Sequence, residues 1–196
     1  MNLPNKLTLF RIILVPFVVA ATLIEFPFHF LVAGILFGVA SITDYFDGKI
    51  AREKNLITDF GKFADPLADK ILVISILICF LKLDLCMAVP VILILLREFT
   101  VTSIRLIAAS KGIIVAANFW GKLKTVTQLI AIITIYVLQT ALFILNTYIT
   151  IEPSLLLSLN NIFVLIGHIL IWISTIFAII SGIIYIIQNK EVISTK

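Results

Sequence analysis

The sequence predicts an all-α membrane protein of six transmembrane helices, forming a single domain over residues 1–196. The composition points to a membrane, since 61% of the residues are hydrophobic and 13% are charged, against about 25% charged residues in soluble domains. A soluble protein of this length would keep too little polar surface to cover such a core. The apolar stretches are also long, because a transmembrane helix needs about 17 to 25 mostly apolar residues.

Six stretches of the chain meet this length requirement. They are expected near residues 8–25, 29–50, 61–82, 87–109, 123–147 and 159–187. The breaks between them contain charge or turn-forming residues, as in AREKNLITDFGK between the second and third stretches. No A-x-A-like cleavage site follows the first stretch, so we expect the N-terminus to be retained. The polar NLPNK that precedes it predicts a short N-terminal interfacial helix.

The lysines and arginines predict the orientation of the chain. They fall mainly in alternate loops and in the two termini: Lys6, Lys49, Arg52, Lys54, Lys62, Lys111, Lys122, Lys124, Lys190 and Lys196. The opposite loops contain Lys82 alone. By the positive-inside bias, both termini are predicted to be cytoplasmic. We therefore expect an integral protein of the cytoplasmic membrane whose charged motifs face the cytoplasm.

Two carboxylates share one face at the cytoplasmic end of the second predicted helix. In TDYFDGKIAR, an arc of roughly 100° contains Asp44, Asp47, Gly48 and Ala51. The two small residues let a flat or bulky ligand approach the backbone. The guanidinium of Arg52 can hold a phosphate through two parallel hydrogen bonds. Together these residues indicate a phosphorylated, nucleotide-like ligand.

A second acidic stripe begins the third predicted helix. In GKFADPLADK, the residues Gly61, Asp65 and Asp69 recur every four positions and therefore line one face. A short connection lets this stripe face the first one, and carboxylates gathered near hydrocarbon repel each other unless cations neutralise them. Oxygen-only ligands favour a hard divalent ion such as Mg²⁺ or Mn²⁺. The alternative is that these acids are solvated at helix ends, with Asp65 stabilised by the helix dipole.

The complete pattern resembles the signature of the CDP-alcohol phosphatidyltransferase family. It reads Asp44-x-x-Asp47-Gly48-x-x-Ala51-Arg52, eight residues, then Gly61-x-x-x-Asp65-x-x-x-Asp69. The resemblance extends along the chain through NLPNKLTLFR, DPLADK, LLREF and GKLKT. Within the family, the chain is most similar to bacterial members that use glycerol 3-phosphate as the acceptor.

The resemblance implies transfer of the phosphatidyl group of CDP-diacylglycerol to sn-glycerol 3-phosphate, with release of CMP. It implies two divalent metal ions, Mg²⁺ or Mn²⁺, on Asp44, Asp47 and Asp65, with Asp69 touching the second ion. Asp69 would also be the general base for an in-line attack on the β-phosphate. Relatives are homodimers, so a homodimer among membrane lipids is expected, and no nucleic acid partner.

The residues implied to bind CDP-diacylglycerol come from two parts of the chain. They are Gly48, Ala51, Arg52 and Gly61 in the signature, and Asn5 and Thr8 in the N-terminal segment. Arg11 follows in the same segment, where its side chain can reach the headgroup region. For the N-terminal residues, anchoring to the membrane surface is the alternative.

Four cations near the fourth and fifth spans are candidates to bind the acceptor's phosphate. Arg97 lies well inside the fourth span, where a charge costs about 2.5 to 3.5 kcal/mol on insertion scales, so we expect it to face the protein interior. Arg105 lies eight residues later on roughly the same face, and Lys122 and Lys124 precede the fifth span. The alternatives are an ion pair between Arg97 and Glu98, and membrane anchoring by the two lysines.

Two other functions stay open from the sequence. The signature is shared by family members that use a different acceptor alcohol, such as inositol phosphate or phosphatidylglycerol. Intramembrane carboxylates also occur in ion transporters. A transporter would need a second polar station deeper in the membrane, and the sequence contains no evident inverted repeat.

Overall fold

The computed structural model describes the backbone of residues 3–53, 59–113, 118–149 and 151–190, and the side chains of residues 5–43, 67–113, 118–149 and 151–190. Within these ranges the chain forms six α-helices and no strand. They are α1 (Leu3–Leu23), α2 (His29–Glu53), α3 (Asp59–Lys82), α4 (Ala88–Ser110), α5 (Phe119–Tyr148) and α6 (Pro153–Gln188). Each helix overlies one predicted stretch, so the predicted number and positions of the helices are confirmed.

The first helix is longer than the sequence suggested. It begins at Leu3 and continues without a break, so the prediction of a separate interfacial helix is wrong. Pro4 lies in the first turn, where its missing N–H has no partner to lose. Neither glycine nor another proline follows before Pro16, and the intervening residues therefore continue the helix.

The six helices pack as two groups of three. The first helix packs against α2 and α3, the last packs against α4 and α5, and α2 joins the groups by contacting α5. Tyr136 lies at the centre, with its ring edge-on to Phe80 at a centroid distance of 5.1 Å. Its hydroxyl lies 2.8 Å from that of Thr22. Because Thr22 donates its own proton to the carbonyl of Val18, Tyr136 is the donor.

Three of the described helices are long and apolar enough to cross a membrane. These segments are Asn5–Leu23, Phe119–Tyr148 and Pro153–Gln188. In α4, any stretch of this length contains Arg97, Glu98 and Arg105, and the side chains of α2 and α3 are described only in part. Large apolar side chains cover the outside of the long helices, as at Phe17 and Leu165. The chain is therefore an all-α membrane protein.

One end of the bundle collects the elements that matter for the site. Successive helices run up and down, so the starts of α1, α3 and α5 lie at the same end as the ends of α2, α4 and α6. Near the end of α6, Ser181 lies 3.4 Å from Asn118 at the start of α5, and Tyr185 accepts a hydrogen bond from Arg105 in the second half of α4. The signature residues and the candidate acceptor-binding cations thus share one end of the protein.

Candidate active site

The signature residues lie on two consecutive helices. The last three turns of α2 and the first turns of α3 carry them: Asp44, Asp47, Gly48, Ala51, Arg52, Gly61, Asp65 and Asp69. The side chains of all but Asp69 lie outside the described residues. Their predicted roles as ligands of metal ions and of the cytidine group therefore remain predictions.

The four aspartates form two pairs at similar distances from the ends of their helices. Asp47 lies six residues before the end of α2, and Asp65 lies six residues after the start of α3. At 1.5 Å per residue, each is about 9 Å from that end of its own helix. Asp44 and Asp69 form the second pair, nine and ten residues from the same ends.

Asp69 is the one signature aspartate whose side chain is described. It is exposed and lies within electrostatic range of the neighbouring Lys70. Among the side chains that the structure describes, no three His, Cys, Asp or Glu residues cluster as metal ligands would. The other three predicted ligands, Asp44, Asp47 and Asp65, lie outside the described side chains.

Glu98 is the centre of a buried group of charges on the facing helices. One of its carboxylate oxygens, Oε1, accepts a hydrogen bond from Arg97 Nη1 at 2.8 Å and another from Lys124 Nζ at 2.7 Å. The side chains of the three residues are 14%, 12% and 7% exposed respectively. A single carboxylate therefore pairs with both largely buried cations, and the three side chains together keep a net charge of +1.

Arg97 is held by this group and by α6 through its two terminal nitrogens. Its Nη2 donates to Ser181 Oγ at 2.7 Å. The aliphatic part of its side chain passes Gly182, where an added Cβ would lie 3.1 Å from Arg97 Cγ. Its Nη2 passes Gly121, where an added Cβ would lie 3.3 Å from that nitrogen. The alternative for Arg97, an ion pair with Glu98, is thus the arrangement observed.

The start of α5 explains how Gly121 comes to lie beside Arg97. Asn118 is the N-cap of this helix, and its Oδ1 accepts the backbone N–H of Gly121 at 2.7 Å. An N-cap side chain of this kind satisfies one of the donors left free in the first turn of a helix. Ser181 Oγ lies 3.4 Å from the same Oδ1, so the cap also ties the start of α5 to α6.

Arg105 and the two lysines of α5 have different surroundings. Arg105 is exposed, and its Nε donates to the hydroxyl of the buried Tyr185 at 3.0 Å. The guanidinium carbon lies 5.6 Å from the centre of the same ring, a favourable cation–π contact. Lys124 is buried, whereas Lys122, two residues away and on the other side of the helix, is exposed. The structure thus brings Arg97 and Lys124 together and leaves Lys122 outside this group.

Sequence reasoning missed Lys70. Its Nζ donates to Thr102 Oγ1 on α4, and Thr102 in turn donates to the backbone carbonyl of Glu98 at 2.7 Å. A lysine in a predicted span, directly after Asp69, was a signal that could have found it, because intramembrane charges face the protein interior and mark functional sites.

The N-terminal candidates lie inside the protein. Asn5 is 7% exposed, and Thr8 and Arg11 are completely buried. Anchoring to the membrane surface, the alternative for these residues, is therefore wrong, and so is the expectation that Arg11 extends to the headgroups. The three positions are spaced i, i+3, i+6 on α1, a helix that packs against α2 and α3.

Comparison with known proteins identifies the family. The family model described as CDP-alcohol phosphatidyltransferase matches residues 1–180. A protein of Bacillus subtilis (strain 168) named CDP-diacylglycerol–glycerol-3-phosphate 3-phosphatidyltransferase is 48% identical over 143 residues, which cover 67% of this chain and 74% of that protein. Proteins with the same name are 43% identical in Rickettsia felis, over 67% of this chain and 72% of the relative, and 33% identical in Wigglesworthia glossinidia brevipalpis, over 81% and 89%. The family predicted from the sequence is thereby confirmed, and the chain belongs to the CDP-alcohol phosphatidyltransferases.

Proposed function

We propose that this protein transfers the phosphatidyl group of CDP-diacylglycerol to sn-glycerol 3-phosphate, giving phosphatidylglycerophosphate and CMP. The observation that carries the proposal is its similarity to relatives named for this reaction, over two thirds or more of both chains. The unbroken signature at the end of α2 and the start of α3 supports the phosphatidyl transfer itself.

We also propose that two divalent ions, Mg²⁺ or Mn²⁺, bind to Asp44, Asp47, Asp65 and Asp69. The donor set fits such ions because all four ligands are carboxylates, and their similar distances from the ends of α2 and α3 support the proposal. When bound, the ions would polarise the β-phosphoryl oxygens and stabilise the departing CMP.

Asp69 is proposed to accept the proton of the acceptor's 1-hydroxyl as that oxygen attacks the β-phosphate in line. Its exposure supports this role, because a dissolved acceptor can reach the carboxylate. Asp69→Asn keeps the size of the side chain and removes its basicity. We expect Asp69→Asn to lose turnover while metal remains bound; near-normal turnover with metal bound would remove the role as base.

The donor pocket is proposed to combine the small residues of the signature with the start of α1. Gly48, Ala51 and Gly61 would leave room for the cytidine, and Arg52 would hold a phosphate through its guanidinium. Further ligands proposed for the donor are Asn5 and Thr8. Their position on α1 supports this, because that helix packs against α2 and α3, which carry the signature.

The acceptor's phosphate is proposed to bind among the cations of α4 and α5. Arg105 is the first candidate, because its guanidinium is exposed and oriented by Tyr185. Lys124 would line the pocket from α5, and Arg97 would complete its wall while held by Glu98 and Ser181. Lys122 would attract the anion at the exposed entrance.

The arrangement in the membrane is proposed from the lysines and arginines of the loops and termini. Six transmembrane spans with both termini in the cytoplasm agree with the positions of the lysines and arginines. The active site would then open to the cytoplasm at the inner face of the bacterial membrane, where glycerol 3-phosphate is dissolved. Assembly as a homodimer follows from the family resemblance, and crosslinking in native membranes tests it.

The decisive experiment supplies the purified protein with CDP-diacylglycerol, Mg²⁺ or Mn²⁺, and a panel of alcohols, and measures the release of CMP. We expect release with glycerol 3-phosphate and none with inositol phosphate or phosphatidylglycerol. Release only with another alcohol would change the acceptor and leave the chemistry intact. Absence of release with every acceptor would contradict the proposed function.

A further inference from the structure

We infer that Lys70, one residue after Asp69 on α3, binds the phosphate of the acceptor together with Arg105. The inference rests on the proposed function and adds a ligand from the helix that also carries the proposed base. The shared chemistry is recognition of a phosphate, and the donor's pyrophosphate is the other group that this lysine can meet.

The side chain of Lys70 extends from α3 to α4. Its Nζ contacts Thr102 Oγ1, and Thr102 lies on the same face of α4 as Glu98, four residues before it, and Arg105, three residues after it. Lys70 therefore reaches α4 between the buried carboxylate and the exposed guanidinium, and it lies within electrostatic range of both.

The second step is the balance of charge. Four cations gather here, namely Lys70, Arg97, Arg105 and Lys124, and two carboxylates of the described residues act on them, Glu98 and Asp69. The sum over these side chains is four positive charges and two negative charges, or +2. Arg97 and Lys124 already share Glu98. Lys70 and Arg105 instead contact hydroxyl groups of Thr102 and Tyr185. A phosphate would add negative charge between these two cations.

The third step separates the acceptor from the donor. The donor residues of the signature lie on α2 and at the start of α3, whereas Lys70 extends toward α4. Because Asp69 and Lys70 are consecutive, their side chains leave α3 about 100° apart. An acceptor whose phosphate lies between Lys70 and Arg105 would then be close enough to extend toward the face that carries Asp69.

The test compares Lys70→Gln and Lys70→Arg with Lys82→Gln, an exposed lysine at the far end of the same helix. We expect Lys70→Gln to raise the KM for glycerol 3-phosphate about tenfold or more, as for a lost charge-assisted hydrogen bond. The KM for CDP-diacylglycerol is expected to stay within about twofold. Lys70→Arg should restore much of the loss, and Lys82→Gln should behave as wild type. A rise in the KM for the lipid instead would assign Lys70 to the pyrophosphate and overturn the inference.

Thr102→Val distinguishes phosphate binding by Lys70 from a purely structural role, because it removes the contact of Lys70 with Thr102 on α4 and keeps the cation. We expect Thr102→Val to change the preference for glycerol 3-phosphate over unphosphorylated glycerol much less than Lys70→Gln does. Equal effects of the two variants on this preference would show that Lys70 is only a tie between helices, and would overturn the inference.

A measurement on the wild-type protein covers the case in which Lys70→Gln does not fold. Glycerol 3-phosphate should protect Lys70, and leave Lys82 unprotected, from acetylation by an amine-reactive ester, as quantified by mass spectrometry of each lysine. Lack of protection at saturating acceptor would contradict the inference. If wild-type protein releases no CMP with glycerol 3-phosphate, the proposed function fails first; release with unchanged behaviour of Lys70→Gln refutes this inference alone.

Discussion

Replacing Glu98 by glutamine tests whether the buried charges hold the second group of helices together. The change keeps the shape of the side chain and removes the one negative charge that contacts Arg97 and Lys124 among the described side chains, at 2.8 and 2.7 Å. All three side chains are at most 14% exposed, so solvent screens the two remaining cations only weakly. Breaking a buried ion pair costs about 3–5 kcal/mol. For a chain of this size, about 3 kcal/mol corresponds to a fall in Tm of roughly 6–12 °C.

The assay is thermal unfolding in detergent, followed by size-exclusion chromatography with intrinsic fluorescence. Glu152→Gln is the matched control, because Glu152 is exposed just before α6 and takes part in no ion pair among the described residues. In the double variant Glu98→Gln/Lys124→Met, removal of one of the two uncompensated cations should recover part of the loss. A Tm for Glu98→Gln within about 1 °C of wild type would contradict a contribution of about 3 kcal/mol from Glu98 to the free energy of unfolding.

Three further predictions concern the acceptor pocket, the glycines around Arg97 and a buried thiol. Arg105→Ala should raise the KM for glycerol 3-phosphate about tenfold more than that for CDP-diacylglycerol in CMP-release assays, and the opposite pattern would remove Arg105 from the pocket. Gly182→Ala should lower the free energy of unfolding by about 1–3 kcal/mol, because its methyl group would meet Arg97 Cγ at 3.1 Å. Gly38→Ala, with nothing within 4 Å of the added atom, should leave the Tm unchanged or raise it slightly. Burial raises the pKa of the Cys86 thiol, between α3 and α4, from 9.0 to about 11. Because the folded state then holds this proton more tightly than the unfolded state, stability should fall as the pH rises from 9 through 11, and maleimide labelling at pH 8 should be slow in folded protein and fast after unfolding.

The helices could be predicted because each depends on a short piece of the chain. Six apolar stretches bounded by charge or turn residues predicted the six helices of the described residues, and the predicted separate N-terminal helix was wrong. For Asn5, Thr8 and Arg11 the sequence left both a place in the donor site and anchoring at the membrane surface open, and burial in a helix that packs against α2 and α3 argues against the anchoring. A polar residue in the first turns of a helix has the same local signature whether it meets headgroups or other helices.

For the charged residues of α4, the sequence predicted the contacts within the helix but not those with other helices. The spacing of Arg97 and Arg105 correctly indicated one face of a helix, and the adjacent Glu98 indicated an ion pair. Spacing along one helix could not predict the partners from other helices, because these are far apart in the sequence. Lys124 is 26 residues from Glu98, Lys70 is 32 residues from Thr102, and Ser181 is 84 residues from Arg97. Their meeting depends on how the helices pack.

By itself, the sequence determined that this is a helical membrane protein and a CDP-alcohol phosphatidyltransferase. Hydrophobic length and a signature of fixed spacing within one pair of consecutive helices are properties of the chain that do not need the fold. Only the tertiary structure decided which cations contact the Glu98 carboxylate and which donate to neutral hydroxyl groups. Glu98 lies close enough to bind Arg97 and Lys124, while Lys70 and Arg105 donate hydrogen bonds to the hydroxyl groups of Thr102 and Tyr185.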